Sequence, residues 1–471
     1  MRINRLKLRN FRNHVDTEVR FAPHINLITG QNGSGKTNLI DAIHYLCMSR
    51  SFVASSDMYV PHHDEKYFMI NGDFEGEIRA SFKVSCSYSK GDGKKIFVND
   101  SPLDRLSDLI GMVPVVVLSP EDKKLTSDGP AERRSFLDSL ISQISPKYLR
   151  DLMKFRKIRK QRNKLLQEFR GSLSMLKTYL EPWDEQLTET GASIIFKRNE
   201  VLEQFKRYLA LQYRTISELK LEPTLEYQTI CEDLSSVEAI RKSYLKLLED
   251  DFEKEAEREQ TLTGPHRDEI VFYLDESELR KYGSQGQHRL FSMALKMAQL
   301  FYYTDQLDDL PIMLLDDVFG NLDQHKIDVI TETLTKHSGQ TFITSATDRP
   351  FTVSQFENKE ENAWYTVGVL SEKPSQIYIS GPNPLCSSFK TYTLQNLPSG
   401  SSVTWSATPT HLFTNPSDSG SSFSTAWDGS GSGSGTITAT LSGDCGSIDI
   451  TKSIWVGNPE NSLMSALTQI L

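Results

Sequence analysis

The apolar positions change period three times along the chain, and the changes divide it. In residues 1–130 the runs are short. Leu6, Leu8 and Phe11 open a first strand, and Ile25-Asn26-Leu27-Ile28 reads as a buried one. Asn38-Leu39-Ile40-Asp41-Ala42-Ile43-His44-Tyr45-Leu46 then carries apolar residues at helical spacing. From Tyr67 to Val98 apolar and polar residues alternate between turns at Asn71-Gly72 and Lys90-Gly91-Asp92-Gly93, which predicts antiparallel hairpins. Val113 to Leu118 is a buried-strand pattern, ended by Ser119-Pro120-Glu121-Asp122.

Residues 131–259 have the longer period of helices, with Tyr148, Leu152 and Phe155 on one stripe continued by Leu165 and Phe169. No heptad pattern runs long enough for an extended coiled coil, so this block reads as an arm of modest length. Residues 260–370 return to the mixed pattern. Ile270 to Leu274 is a strand, Gln287 to Tyr302 a helix, and Pro311 to Leu315 and Thr341 to Thr344 are buried strands. The first and third segments are expected to fold together into one head, with the arm inserted between them. In residues 371–471 Ser, Thr and Gly dominate, and alternation such as Thr436 to Leu441 suggests a small β-sandwich.

Composition alters this picture little. At 38% hydrophobic and 24% charged the chain is ordinary globular material, and a net charge of −9 does not decide for or against nucleic acid. No apolar run reaches the ~18 residues of a membrane span. The start, Met1-Arg2-Ile3-Asn4-Arg5-Leu6, has no apolar signal core, so a cytoplasmic location is expected. Five cysteines are too few for a disulfide scaffold, and Cys47, Cys86 and Cys231 read as reduced thiols.

The sharpest chemistry lies between the buried strand and the helix near the N-terminus. Gly30-Gln31-Asn32-Gly33-Ser34-Gly35-Lys36-Thr37 fits G-x-x-x-x-G-K-[ST] at every fixed position. Its glycines let backbone N–H groups curl around an anion at a helix N-terminus. Gly30 to Asn38 are the expected nucleotide ligands, with Lys36 reaching the β- and γ-phosphates of ATP and Thr37 coordinating Mg²⁺. Asp316-Asp317, at the end of a buried strand, has the form of a Walker B element, with Asp316 for the metal and Asp317 for the attacking water. Alone, such a pair is also a possible helix N-cap. Gly283-Ser284-Gln285-Gly286-Gln287 again offers amides and a hydroxyl at a helix start. It reads either as a surface capping the γ-phosphate of another subunit or as an ordinary cap. Arg156-Lys157-Ile158-Arg159-Lys160-Gln161-Arg162-Asn163-Lys164 is either a solvated helix face or a stripe contacting DNA phosphates.

With these elements in order, residues 1–369 resemble the RecF family, compact DNA-repair members of the ABC/SMC ATPase group. The matching stretches are Leu8 to Asn13, Gly30 to Asn38, Arg50-Ser51-Phe52, Arg133 to Asp138, Lys160 to Asn163, Thr263 to Asp268, Gly283 to Gln287, and Leu314 to Asp317. The resemblance implies an α/β ABC-type ATPase head with an inserted α-helical arm, ATP-driven homodimerisation and slow hydrolysis. It also implies binding to double-stranded and single-stranded or gapped DNA, and work with RecO and RecR in loading recombinase. Two departures stand out: Gly320-Asn321-Leu322-Asp323 where the family usually has Ser-Glu-Leu-Asp, and no histidine after the strand ending Ile343-Thr344-Ser345-Ala346. Thr344 or Ser345 is then the candidate γ-phosphate sensor. His266 and Arg267 gain no role from spacing.

An SMC-like structural clamp would need hundreds of heptad residues, and a nuclease-coupled ATPase would need an added carboxylate-rich domain. Neither is present in the sequence. The last segment, with Cys386, Trp405 and Cys445, resembles Ig-like or PKD-like modules of secreted bacterial surface proteins. Its oxidising chemistry conflicts with a cytoplasmic ATPase. A fusion or gene-model error is expected there in preference to a working surface module.

Overall fold

In a computed structural model of the chain the described residues are 1–76, 80–217, 220–320, 324–346, 362–366, 378–382, 385, 388–395, 402–443 and 446–457. The chain divides into two compact units, Met1–Leu370 and Ser371–Leu471.

The first unit is organised around a five-stranded parallel sheet. Its order is Ala363–Thr366, Ile25–Thr29, Gln340–Ser345, Ile312–Asp316 and Val115–Leu118. Ile25–Thr29, Gln340–Ser345 and Ile312–Asp316 are buried throughout, as parallel strands covered on both faces are. The order places Gln340–Ser345 between the strand that feeds the phosphate loop and the strand that ends in Asp316. Register does the rest: Thr344 lies beside Asp316 on one side and Ile28 on the other. A six-stranded antiparallel sheet, running from His14–Arg20 and Arg2–Phe11 through Tyr67–Glu75 to Ser101–Pro102, covers the helix Lys36–Met48. Their shared core includes Ile3, Leu8, Phe11, Leu39, Ile43, Leu46 and Phe68.

The arm is built on Pro130–Ile144, Pro146–Glu168, Leu173–Ile216 and Val237–Asp250. Leu173–Ile216 has 44 residues, about 66 Å of axis, so the arm's backbone is longer than its modest apolar stripe suggests. Its buried Leu180, Leu187, Ile194, Val201 and Tyr208 recur every seventh position. That short heptad run is used inside the domain, against Pro146–Glu168, Val237–Asp250 and Gln285–Gln306 together. One strand in this block escaped the helical reading. Pro223–Gln228, with Pro223 and Leu225 buried and Thr224 and Glu226 exposed, pairs with Glu269–Leu274.

The second unit has a three-stranded and a four-stranded antiparallel sheet around one core. Trp405 stacks on Phe423 at 5.7 Å and donates its indole N–H to Gly420 O. Cys386 and Cys445 lie outside the described residues. Among the described residues no helix is long and apolar enough to cross a membrane.

Candidate nucleotide site

The loop Gly30–Gly35 leaves the buried strand Ile25–Thr29 and enters the helix Lys36–Met48. Gly33 and Gly35 have φ of 81° and 104°, values open to glycine and strained for other residues. At Gly35 space is also closed, because a Cβ there would fall on the Asn13 side chain. Asn13 in turn donates to Ser34 O at 3.1 Å and accepts from the Asn38 amide at 2.7 Å. Asn38, a predicted ligand of the nucleotide, therefore spends its side-chain amide bracing the loop. Gln31, Asn32 and Gly33 are exposed, whereas the Ser34 hydroxyl is buried with no partner among the described residues. An orphaned hydroxyl inside a curl of amides suits a bound anion.

Lys36 is 7% exposed and donates to Gly30 O at 2.8 Å and Gln31 O at 3.0 Å. Burial pushes its pKa down, opposed by the charges of Asp317 and then Asp316. Thr37 donates its hydroxyl to Asp316 Oδ1 at 2.7 Å. On the other side Thr344 donates to the same oxygen at 2.7 Å and accepts the Asp317 N–H at 3.0 Å. The chain thus brings Lys36, Thr37, Asp316 and Asp317 together from segments about 280 residues apart. The Thr344 hydroxyl, expected to sense a γ-phosphate, is committed to holding the carboxylate pair. Asp317 sits at φ 47° with its side chain exposed, and it starts no helix. A cleft of about 810 Å³ adjoins Thr37 and Asp316, with Arg50, Ser119, Asp122 and Lys296 among its walls.

Ser284 begins the helix Gln285–Gln306 with a reciprocal cap. Its hydroxyl accepts the Gln287 N–H at 3.3 Å, and the Gln287 side chain accepts the Ser284 N–H at 2.7 Å. Ser284, Gln285 and Gly286 are exposed, and none of Ser284–Gln287 lines the cleft at Thr37. Asn321 and Asp323 fall outside the described residues.

Sequence reasoning missed Asp41. It is fully buried on the phosphate-loop helix, where it receives Arg12 at 2.9 Å, Ser51 at 2.8 Å and the Phe52 N–H at 2.8 Å. Burial pushes its pKa up and the Arg12 charge pulls it back. The Asp ties the Arg50-Ser51-Phe52 stretch to the loop's helix. The available signal was a carboxylate on the apolar stripe of a helix, since a buried charge demands a partner.

The family model for the RecF/RecN/SMC N-terminal domain matches residues 2–359. The chain is 44% identical over 357 residues to the DNA replication and repair protein RecF of Salinibacter ruber, covering 74% of this chain and 86% of that protein. The chain belongs to the RecF family. The RecF protein of Chloroherpeton thalassium is 39% identical, with 74% of this chain and 96% of that protein covered. A solved structure described as the recombination mediator protein RecF with ATP in the RecFOR pathway superposes with a TM-score of 0.71 at 30% identity. It covers 79% of this chain and 97% of its own. The first unit accordingly has the RecF fold, an ABC-type ATPase head carrying an inserted helical arm.

The other family stretches prove to be braces of that arm. Arg162 is fully buried between Asp184 at 2.6 Å and Glu255 at 2.6 Å. Arg198 gathers Asp138 at 2.8 Å, Asp268 at 2.7 Å and Pro265 O at 2.6 Å. His266 bonds Thr261 O through Nε2 at 3.2 Å, and its Nδ1 is buried without a partner among the described residues.

Proposed function

We propose that this chain is an ATP-dependent DNA-binding protein of recombinational repair and replication-fork maintenance. In this reading it dimerises on ATP, helps load recombinase at gapped DNA, and hydrolyses ATP slowly as a DNA-stimulated switch. The observation that carries it is the Thr37–Asp316 hydrogen bond at 2.7 Å, which joins a complete phosphate loop to a strand-end carboxylate. Relatives named for DNA replication and repair, and a neighbour solved with ATP, support the same assignment. The RecFOR pathway of that neighbour suggests RecO- and RecR-type partners, double-stranded and gapped DNA as substrate, and the cytoplasm as location.

The proposed roles follow from the donors present. The amides of Gly33 to Thr37 and the Ser34 hydroxyl cradle phosphate, and Lys36 turns from the carbonyls of Gly30 and Gln31 to the β- and γ-phosphates. Thr37 and Asp316 are two hard oxygen donors already side by side, which fits Mg²⁺, a cation that needs few protein ligands beside the phosphates. When bound, that ion offsets phosphate charge. Asp317, exposed and near Lys36, is the candidate base for the attacking water. Ser284, Gln285 and Gly286, exposed, and Gln287, half-buried, all away from the cleft, are assigned to the γ-phosphate of a second copy.

Light scattering in ATP and in ADP tests the scheme. The wild-type chain should dimerise in ATP alone. Asp317→Asn should accumulate as an ATP dimer, because an amide is no base, and Ser284→Arg should bind ATP yet stay monomeric. A Ser284→Arg protein that dimerises like wild type would sink the trans assignment.

A further inference from the structure

We infer that the groove beside the helix Pro146–Glu168 is a second phosphate site, in which Arg134, Arg156 and Arg159 take phosphodiester groups of a polynucleotide. This rests on the DNA-binding reading above and places the contact on particular side chains.

The groove has a volume of about 780 Å³ and is walled by Arg134 from Pro130–Ile144, by Arg156, Arg159 and Lys160, and by His266. Arg156, Arg159 and Lys160 stand at i, i+3 and i+4 and so share one face of their helix. Lys157 is exposed and lines no part of the groove. The basic run is thereby divided: one edge faces the groove, and Arg162 is buried beneath it.

The pairing of these cations is what points to a missing anion. Arg162 and Arg198, in the same domain, have two carboxylates each. Arg159 and Lys160 have no ion pair or hydrogen bond among the described residues, and Arg134 bonds only the neutral Asp268 O, at 2.7 Å. The carboxylates lining the groove are already engaged. Asp138 serves Arg198 and Tyr148 as well as Arg156, and Glu168 pairs with Lys164 at 3.7 Å. The field is strong enough to act on its neighbours. Burial first, and then the charges of Arg159, Arg267 and Arg134, hold His266 down to about 3. Burial and the other guanidinium groups likewise lower Arg159 and Arg134.

Length selects the ligand. The lining residues of the one helix run from Leu152 to Glu168, ~24 Å of axis. A free phosphate would fill a fraction of that, whereas successive phosphates of a strand follow it. Gln161 adds a polar side chain to the same wall, while Asn163 and Gln167 are engaged with Thr261 and Glu259 O.

The test uses the full chain at saturating ATP and a fluorescein-labelled 20-base-pair duplex, read by anisotropy over a salt series. Arg159→Gln, which removes no internal bond, should weaken binding at every salt concentration and reduce the log–log salt slope by about 0.9. Arg134→Gln/Arg159→Gln should reduce it by about 1.8. Lys157→Gln should match wild type, both single variants should keep their thermal midpoint, and all variants should keep their ATP affinity. Wild-type slope in the double variant, or an equal loss in Lys157→Gln, overturns the groove assignment while leaving DNA binding in place elsewhere. A wild-type chain that binds no duplex overturns the DNA reading itself, and the inference falls with it. A calorimetric titration of ADP-saturated protein with pyrophosphate separates the sources. Tight, Arg159-dependent binding that leaves DNA affinity untouched would make this a small-phosphate site and overturn the polynucleotide.

Discussion

Around Lys36 the groups directed at phosphate are mostly backbone amides, supplied by eight consecutive residues from Gly30 to Thr37. In the groove along the arm they are guanidinium groups drawn from separate helices, beside a loop more than a hundred residues further along the chain. The first site is built by leaving side chains out: Gly35 has φ 104°, and Asn13 occupies the place of any Cβ. The second is built by withholding counter-charges from Arg159 while giving them to Arg162 on the same helix. A site made of backbone is fixed by local geometry, and a site made of unpaired charge is fixed by what the surrounding fold declines to place there.

The largest effect should come from the paired arginine. Arg162→Ala strands Asp184 and Glu255, the latter fully buried, and breaking such a buried pair costs about 3–5 kcal/mol. Urea unfolding should show a loss of that order, against almost none for Arg159→Gln three residues away. Equal losses would make Arg159 a structural residue and erase the contrast between the two arginines.

Next in size is the phosphate loop itself. Lys36→Ala removes a charge-assisted contact worth about 1.5–3 kcal/mol, so ATP affinity measured by calorimetry should drop about 10–150-fold. Duplex binding at limiting ATP should weaken with it and recover at saturating ATP, since the groove itself is untouched. Unchanged ATP affinity would remove Lys36 from the site.

A smaller, pH-dependent effect should appear on the same helix. His44 is buried, donates its Nδ1–H to Arg50 O at 2.9 Å, and is held down to about 3, by burial first and then by the Arg50 charge. Below its ordinary value near 6.5 the unfolded chain takes up this proton and the folded chain does not. The stabilisation is therefore present above pH ~6.5 and is lost as pH falls toward 3, by up to about 1.4 kcal/mol per pH unit. Urea midpoints at pH 7, 6 and 5 should fall, and His44→Gln should flatten that fall. An unchanged slope in the variant would assign the acid sensitivity to other groups.

The two sites also differ in how far the sequence discloses them. The phosphate loop could be read because each requirement is met within a few residues: strand, glycines, lysine, helix. Asp316-Asp317 could be read because a fully buried strand must end where its side chains meet solvent or ligand. From the sequence Thr344 or Ser345 reads as the candidate γ-phosphate sensor, because the pairing of Thr344 with Asp316 depends on strand order and register that no local pattern reveals. The run Arg156 to Lys164 left its direction open for a similar reason. Charge alone does not say that Arg162 points inward to acids more than twenty residues away while Arg159 faces a groove. Pro223–Gln228 was lost among helices because its alternation is short and its partner strand lies some forty residues downstream.

The smallest effect should come from the largest deletion. Among the described residues the apolar clusters of the first unit are assembled from residues no later than Tyr365, while the core of the second begins at Ile379. Each group assigned here to phosphate, from Gly30 to Asp317, precedes residue 370, and the family match ends at residue 359. The second unit adds few charges among its described residues, and its core rests on packing such as Trp405 against Phe423. A chain ending at Leu370 should therefore bind ATP and duplex with wild-type affinity and salt slope. In calorimetric unfolding the full chain should show one transition that the shortened chain retains and one that it lacks, as expected of separate cores. Loss of ATP or DNA affinity on truncation would mean that the second unit contributes to one of the two phosphate sites. Loss of the salt slope alone would assign that contribution to the groove.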